Sequence, residues 1–284
     1  MKPPSFLYSR PDTLEGALAI LDEHGDDAKI LAGGQSLIPL LNFRLARPRV
    51  LVDIALIDQI QTIGDNNGTL SIGAGVSQGD AEQSADVRRA APLVAESIGY
   101  IGHLQNRNSG TVGGSVAHAD PAAELPAVLT TLQATMVLRS SGAERMVPAD
   151  EFFVGPFTTA LGSGEMLYEI RIPKKPAARS HIIELSLRSG DFALAGVAGQ
   201  LTMTGDVVGD VDLVAFGVDA VPLRLTEAEA AIRGREPSPA VLEDAAALAA
   251  SAVDPSFGDV HADGAFRATV VGEYTHRVLL EVTR

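Results

Sequence analysis

Apolar positions along the chain switch between two periods, and the switches mark out the elements. Leu14, Ala17, Leu18 and Leu21 share one face of a 3.6-residue repeat, with Asp12 or Thr13 available as N-cap and Gly25 as the stop. Lys29–Ala32 and Arg49–Ile54 read as short buried strands, with a short helix over Leu37–Leu45 between them. Asn66-Asn67-Gly68, set between Ile63 and Leu70-Ser71-Ile72, predicts a hairpin. Helical spacing returns over Gly79–Ser84 and Val87–Gly99. From Gly102 to Asp120 the apolar residues are too few and too irregular for a regular element, so a glycine-punctuated loop is expected. Leu125–Leu132 predicts a buried helix, Thr135–Arg139 and Glu144–Val147 a strand pair around Ser141-Gly142, and Glu165–Ile172 a further strand.

The run Pro173-Lys174-Lys175-Pro176 breaks both periods and is the best boundary, dividing the chain into residues 1–175 and 176–284. Beyond it, strand-like runs at His181–Leu187, Phe192–Thr204 and Val211–Val218 precede helical patterns over Thr226–Gly234, Ser238–Ala252 and Gly264 to the C-terminus. Strands followed by helices predict an α+β unit around a small antiparallel sheet.

Composition narrows the function more than the fold. With 46% hydrophobic and 20% charged residues, the 284-residue chain has the balance of a soluble globular protein. No run is long and apolar enough to span a membrane, and MKPPSFLYSRP lacks the apolar core of a signal peptide, so a cytoplasmic location is expected. Thirty-six acidic against 22 basic residues leave a net charge of -14, which argues against a nucleic-acid partner. There is no cysteine. The chain therefore cannot ligate an iron–sulfur cluster or attach a flavin through sulfur, and any redox chemistry requires an organic cofactor.

Two glycine pairs carry the candidate chemistry. Ala32-Gly33-Gly34-Gln35-Ser36-Leu37 follows a strand, and Thr111-Val112-Gly113-Gly114-Ser115 sits deep in the expected loop. Each is either a tight turn or a concave nest of free backbone N–H groups suited to an anion. Together they suit a diphosphate, whose two phosphates need donors from separate segments. Neither fits G-x-G-x-x-G or the P-loop pattern. Glu124 is either a first-turn helix residue before Pro126 or a carboxylate that accepts hydrogen bonds from sugar hydroxyls. The six histidines lack metal-ligand spacing, so no metal site is assigned.

The two loops, extended through Ile38-Pro39, Ile101-Gly102-His103 and His118-Ala119-Asp120-Pro121-Ala122-Ala123-Glu124-Leu125-Pro126, resemble the FAD-binding medium subunit of the xanthine dehydrogenase/carbon monoxide dehydrogenase (molybdenum hydroxylase) family. The resemblance extends along the chain through Arg188–Ala193, Pro222-Leu223-Arg224 and Asp259–Arg267. It implies an α+β fold: a two-lobed FAD-binding domain of the vanillyl-alcohol-oxidase-like type, with lobes at about 1–56 and 57–175, then a small α+β domain with a three-stranded antiparallel sheet. It places FAD, non-covalently, with Ala32, Gly33, Gly34, Gln35, Ser36 and Leu37 and with Thr111, Val112, Gly113, Gly114 and Ser115 around its diphosphate. Glu124 falls near the cofactor's sugar portion, Ile101 and Leu161 against flavin or adenine, and Phe192 toward the isoalloxazine; a core aromatic is the other reading of Phe192.

Four positions depart from the family pattern. Gln35 stands where carbon monoxide dehydrogenases often have histidine and cannot bond flavin covalently. Asn106 and Ser109 interrupt a usual Gln-Val-Arg-Asn-Arg-Gly run, and Leu194 replaces a lysine of xanthine dehydrogenases. By resemblance the chain relays electrons and contributes no catalytic residue. A large molybdopterin-binding subunit and a small subunit with 2Fe-2S clusters do the rest, in a dimer of heterotrimers. The alternatives are a stand-alone FAD-dependent oxidase or dehydrogenase, with His118, Asp191 and Tyr168 as its only acid–base candidates, and a non-catalytic interaction module.

Overall fold

The computed structural model describes residues 2–66 and 68–284. The chain opens with β1 (Leu7–Ser9), α1 (Leu14–His24), β2 (Ala28–Leu31), α2 (Leu37–Asn42) and β3 (Val50–Asp53). The three strands are parallel in the order β1-β3-β2. Leu14, Ala17, Leu18 and Leu21 of α1 bury against Val50 and Val52. Of the two candidate caps the structure uses Thr13, whose hydroxyl accepts from Gly16 N–H at 3.1 Å, a contact that stabilises a helix by about 1 kcal/mol. Because β2, α2 and β3 form a parallel crossover, the first glycine loop sits at the carboxyl end of a strand, where open parallel sheets place their ligands.

A second, five-stranded antiparallel sheet runs β4-β5-β10-β6-β7. Its strands are β4 (Ile63–Asn66), β5 (Thr69–Gly73), β6 (Thr135–Ser140), β7 (Ala143–Pro148) and β10 (Met166–Pro173). Asn66 pairs with Thr69 as the expected hairpin requires, while Asn67 of its turn lies outside the described residues. Between β5 and β6 come α3 (Gln78–Gln83), α4 (Ala85–Ala90), α5 (Pro92–Ile98), α6 (Leu104–Ser109), α7 (Val112–His118) and α8 (Glu124–Thr131). A four-residue α9 (Ala149–Phe152) and the short pair β8 (Phe153–Gly155) and β9 (Thr158–Thr159) separate β7 from β10.

The irregular loop expected over 102–120 is not what forms: α6 and α7 occupy most of it. Val112 and Val116 are four residues apart and wholly buried, and Thr111 caps α7 with its hydroxyl. Two valines among glycines make too weak a periodic signal to read, yet packing against the second sheet's core suffices to fold seven residues.

The third sheet is antiparallel, in the order β11 (Arg179–Ser186), β12 (Ala193–Thr204), β13 (Val207–Phe216), β14 (Leu223–Arg224). The expected three strands are present, and two-residue β14 adds a fourth at the edge of β13. Helices α10 (Thr226–Ile232), α11 (Pro239–Ser251) and α12 (Gly264–Thr283) cover one face. The other face rests on α8 and α5. Alternation along the strands therefore feeds two cores. Ile182, Ala198, Val214 and Phe216 join the core of the second sheet, while Val197, Leu213 and Ala215 pack under the helices with Val278 and Leu279 of α12. Double-sided burial explains the near-continuous apolar run of β12.

The proline–lysine run joins the second and third sheets and is tethered at both ends. Lys174 pairs with Asp65 on the side of the second sheet. Lys175 reaches Asp212 on β13 at 3.1 Å. No helix among the described residues is long and apolar enough to cross a membrane.

Candidate functional site

A cleft of about 380 Å³ opens at the carboxyl ends of β2 and β3. Ala32 and Gly33 form one wall, Ile54 and Ala55 a second, and Ser77, Asp80, Asn108, Ser109 and Thr111 close it from the second lobe. The two glycine segments are in direct contact. A Cβ on Gly33 would collide with Ser109 O and lie 2.6 Å from Gly110 Cα, so only glycine permits this approach. Gly34 takes φ +71°, the left-handed region that glycine enters without strain.

The two segments differ in what their N–H groups are doing. Those of Gly33, Gly34, Gln35 and Ser36 have no hydrogen-bond partner among the described residues, and the loop is solvent-accessible. It is a set of unspent donors on backbone with little side chain in the way. The N–H groups after Thr111 are already used. Val112 donates to Val76 O at 2.9 Å, Gly113 to Ala74 O at 3.0 Å and Gly114 to the Thr111 hydroxyl at 2.9 Å. Ser115 closes the first helical bond to Thr111 O at 3.2 Å. A nest was expected here, and a capped helix start stands instead. Its glycines serve packing: a Cβ on Gly113 would lie 2.6 Å from Ala74 O. What this segment still turns to the cleft is Thr111, bridged to Ser77 across an isolated antiparallel pair that leaves the Thr111 N–H outside the ladder.

No lysine or arginine lines the cleft, and its one charged side chain is Asp80, which accepts from Ser77 Oγ at 2.7 Å. Backbone donors without fixed cations, beside a carboxylate and hydroxyls, suit a molecule that pairs a diphosphate with sugar hydroxyls. Ser77, Asp80 and Ala55 escaped the sequence reading. The Gly73-Ala74-Gly75 run after β5 was the available signal, since both glycines pack on Ile60.

The remaining predicted residues lie elsewhere. Val112 is wholly buried behind Thr111, and Gln35, Ser36 and Leu37 carry the first loop into α2. Ile101 and Leu161 are half-buried and both pack on the core of the second sheet. Phe192 is 72% exposed and precedes β12, which excludes the core-aromatic reading. It is delivered to the first half of the molecule by Gly190, whose close approach to Gly102 O and His103 requires φ +87° and no Cβ.

Glu124 does not line the cleft. It is 6% exposed at the start of α8 and faces Glu184 of β11. Burial, then the neighbouring Glu184 carboxylate, raise the Glu124 carboxyl to about 8. Burial raises Glu184 to about 7, and its Oε2 is enclosed without a hydrogen-bond donor. Two carboxyls enclosed together each give up a proton at higher pH than they would in water.

The acid–base candidates of a stand-alone enzyme are dispersed. His118 ends α7, tilted against Phe157 with ring centroids 5.1 Å apart, and burial lowers its pKa. Tyr168 lies on β10 under the Arg139 guanidinium, 4.0 Å from the ring centre.

Fold and cleft thus define an α+β protein with a strand-end loop of free N–H groups beside a cleft between two lobes. Residues 4–175 match the family described as the FAD binding domain in molybdopterin dehydrogenase, and residues 182–282 match the CO dehydrogenase flavoprotein C-terminal domain. The chain is 38% identical to the 6-hydroxypseudooxynicotine dehydrogenase complex subunit alpha of Paenarthrobacter nicotinovorans, covering 98% of this chain and 95% of the relative. It is 35% identical to the glyceraldehyde dehydrogenase medium chain of Sulfolobus acidocaldarius, over 99% and 100% of the two chains. A solved carbon monoxide dehydrogenase from Hydrogenophaga pseudoflava superposes with a TM-score of 0.96 at 34% identity, over 99% of this chain and 98% of that one. The chain belongs to the FAD-binding medium subunits of the xanthine dehydrogenase/carbon monoxide dehydrogenase family. It is a subunit of an oxidoreductase complex, and its cofactor is FAD.

Proposed function

We propose that this chain is the electron-relay subunit of a cytoplasmic molybdenum hydroxylase, receiving electrons from a small 2Fe-2S subunit and passing them to an external acceptor. A large molybdopterin-binding subunit carries out substrate hydroxylation, and the complex is a dimer of heterotrimers. The observation that carries this reading is the run of free N–H groups from Gly33 to Ser36, held against Ser109–Gly110 in a cleft that contains no assembled acid–base pair. Bound FAD supplies exchange between one-electron and two-electron partners, and the chain supplies binding, orientation and exclusion of water.

Gly33, Gly34, Gln35 and Ser36 hold the diphosphate through backbone donors, and Thr111 adds its hydroxyl and N–H from the facing segment. Asp80 accepts from sugar hydroxyls within the cleft. Val112, Gly113, Gly114 and Ser115 contribute indirectly, by fixing Thr111 at the helix start. Ile101 and Leu161 offer apolar surface to a ring, and Phe192 covers the cofactor from the C-terminal half. Non-covalent attachment is supported by Gln35, which stands where some related oxidases bond flavin and cannot make that bond, and by the lack of cysteine.

The test is to purify the chain alone and with its partners, and to follow flavin absorbance anaerobically. Bleaching by the complex's substrate is expected only in the assembled complex. Bleaching of the isolated subunit by an organic substrate would establish the stand-alone oxidase or dehydrogenase instead. The substrates named for the relatives, a nicotine derivative, glyceraldehyde and carbon monoxide, differ too widely for one flavin pocket to recognise, which favours recognition on another chain.

A further inference from the structure

The turn after α2 carries side chains with no use inside the folded chain. Phe43 is 63% and Leu45 76% exposed, and Ile38 one turn earlier is 40% exposed. Single exposed apolar residues are ordinary, but these belong to a rigid turn. Arg44 between them has φ 60°, a conformation costly for any side chain. It is held there because Arg44 N–H donates to Leu41 O at 3.0 Å and Leu45 N–H to Leu40 O at 2.9 Å. The turn thus fixes Phe43 and Leu45 outward in advance of any contact.

Charge around the turn is the reverse of the whole. From Gly33 to Val52 there is no Asp or Glu and there are three arginines, in a chain of net charge -14. Arg49 pairs with Asp27 at 3.4 Å. Arg44 and Arg47 make only backbone contacts, to Lys2 O at 3.4 Å and Arg44 O at 3.1 Å, and have no acidic partner among the described residues. An aromatic–aliphatic centre with arginines beside it has the composition of an interface core.

We propose that Ile38, Phe43 and Leu45, with Arg44 and Arg47, form a docking face for a protein whose contacting surface is apolar at its centre and acidic at its rim. Resting on the functional reading above, this partner is the iron–sulfur subunit. The face lies at the far end of α2, a six-residue helix whose other end follows the diphosphate loop, so a partner seated here is beside the cofactor. The acidic remainder of the chain repels an acidic partner and steers it to this turn.

The experiment uses the co-expressed complex, comparing wild type with Leu45→Asp, Arg47→Glu and, on a distant exposed apolar residue of β7, Met146→Asp. Leu45→Asp and Arg47→Glu are expected to keep flavin and the large subunit while retaining the iron–sulfur chain at least tenfold less well on gel filtration. Met146→Asp is expected to retain all three, and raised salt is expected to release the iron–sulfur chain from wild type. Arg47→Glu changes an exposed charge and one exposed bond to Arg44 O and removes no apolar surface, so it decides the matter if Leu45→Asp loses its flavin. Full retention of iron by Arg47→Glu overturns the docking face and leaves the electron-relay reading intact, whereas loss of the large subunit instead overturns the assigned occupant. A wild-type preparation with no iron–sulfur chain overturns both.

Discussion

Gln35 and Asn106 are hydrogen-bonded to each other, Asn106 Nδ2 donating to Gln35 Oε1 at 3.1 Å. Both stand where the family pattern has other residues, so the two departures meet as one contact between the first glycine loop and α6. Gln35 also donates through Nε2 to Gly33 O at 3.1 Å, so its side chain spans the first glycine loop and α6. Asn106→Ala removes this bond, worth about 0.5–1.5 kcal/mol, together with the exposed cap in which Asn106 Oδ1 accepts from His103 N–H at 3.3 Å; FAD affinity is expected to fall about 2- to 10-fold, with a small fall in Tm from the lost cap. Fluorescence titration of the isolated subunit with FAD measures it, and an unchanged Kd would remove the pair from cofactor binding.

Gly33→Ala is expected to act on both stability and binding. Its Cβ has no room against Ser109 O, and overpacking of this kind costs about 1–3 kcal/mol. Relief requires the two lobes to separate at the cleft, so flavin content on purification should drop sharply. Normal flavin content with only a lowered Tm would mean that the contact is structural alone.

The Glu124–Glu184 pair predicts a pH dependence whose sign is fixed. Both carboxyls are raised in the folded protein, to about 8 and about 7, above their unfolded values. Between the unfolded and folded pKa values the native state binds more protons, so this pair's contribution to stability is greatest at acid pH and declines as pH rises through 7 and 8. Glu124→Gln keeps the shape without the titration. The fall in Tm between about pH 5.5 and about pH 8.5 is expected to shrink in this variant. A wild-type Tm that rises across the same window would contradict the assignment.

Phe192→Ala separates a cofactor contact from a structural one. The ring is largely exposed, so its loss should alter folding stability by no more than about 0.5 kcal/mol. Changed flavin fluorescence or absorbance in the isolated holo-subunit is the expected result. Spectra identical to wild type would place the ring away from the cofactor.

Strong local signals were legible in the chain itself. The α1 face of Leu14, Ala17, Leu18 and Leu21, the β6–β7 hairpin about Ser141-Gly142 and the strand-then-helix order after Pro176 all rest on short-range periodicity. Gly33-Gly34 was legible as a glycine loop because a strand precedes it, whereas the need for glycine at 33 shows only against Ser109 O. Weak signals failed where tertiary contact supplied the folding energy. The α7 helix rests on Val112 and Val116, and its Gly113 answers to Ala74, a residue nearly forty positions away.

Composition and pattern alone determined that this protein has no cysteine, carries a strand-end glycine loop and resembles a flavin subunit, because each depends on residue identity or near neighbours. Which N–H groups remain free, where Glu124 points and that Gln35 meets Asn106 were decided only in three dimensions. The physical reason is that a backbone donor is available only if no distant carbonyl has claimed it. A carboxylate likewise takes its character from whatever the fold packs against it.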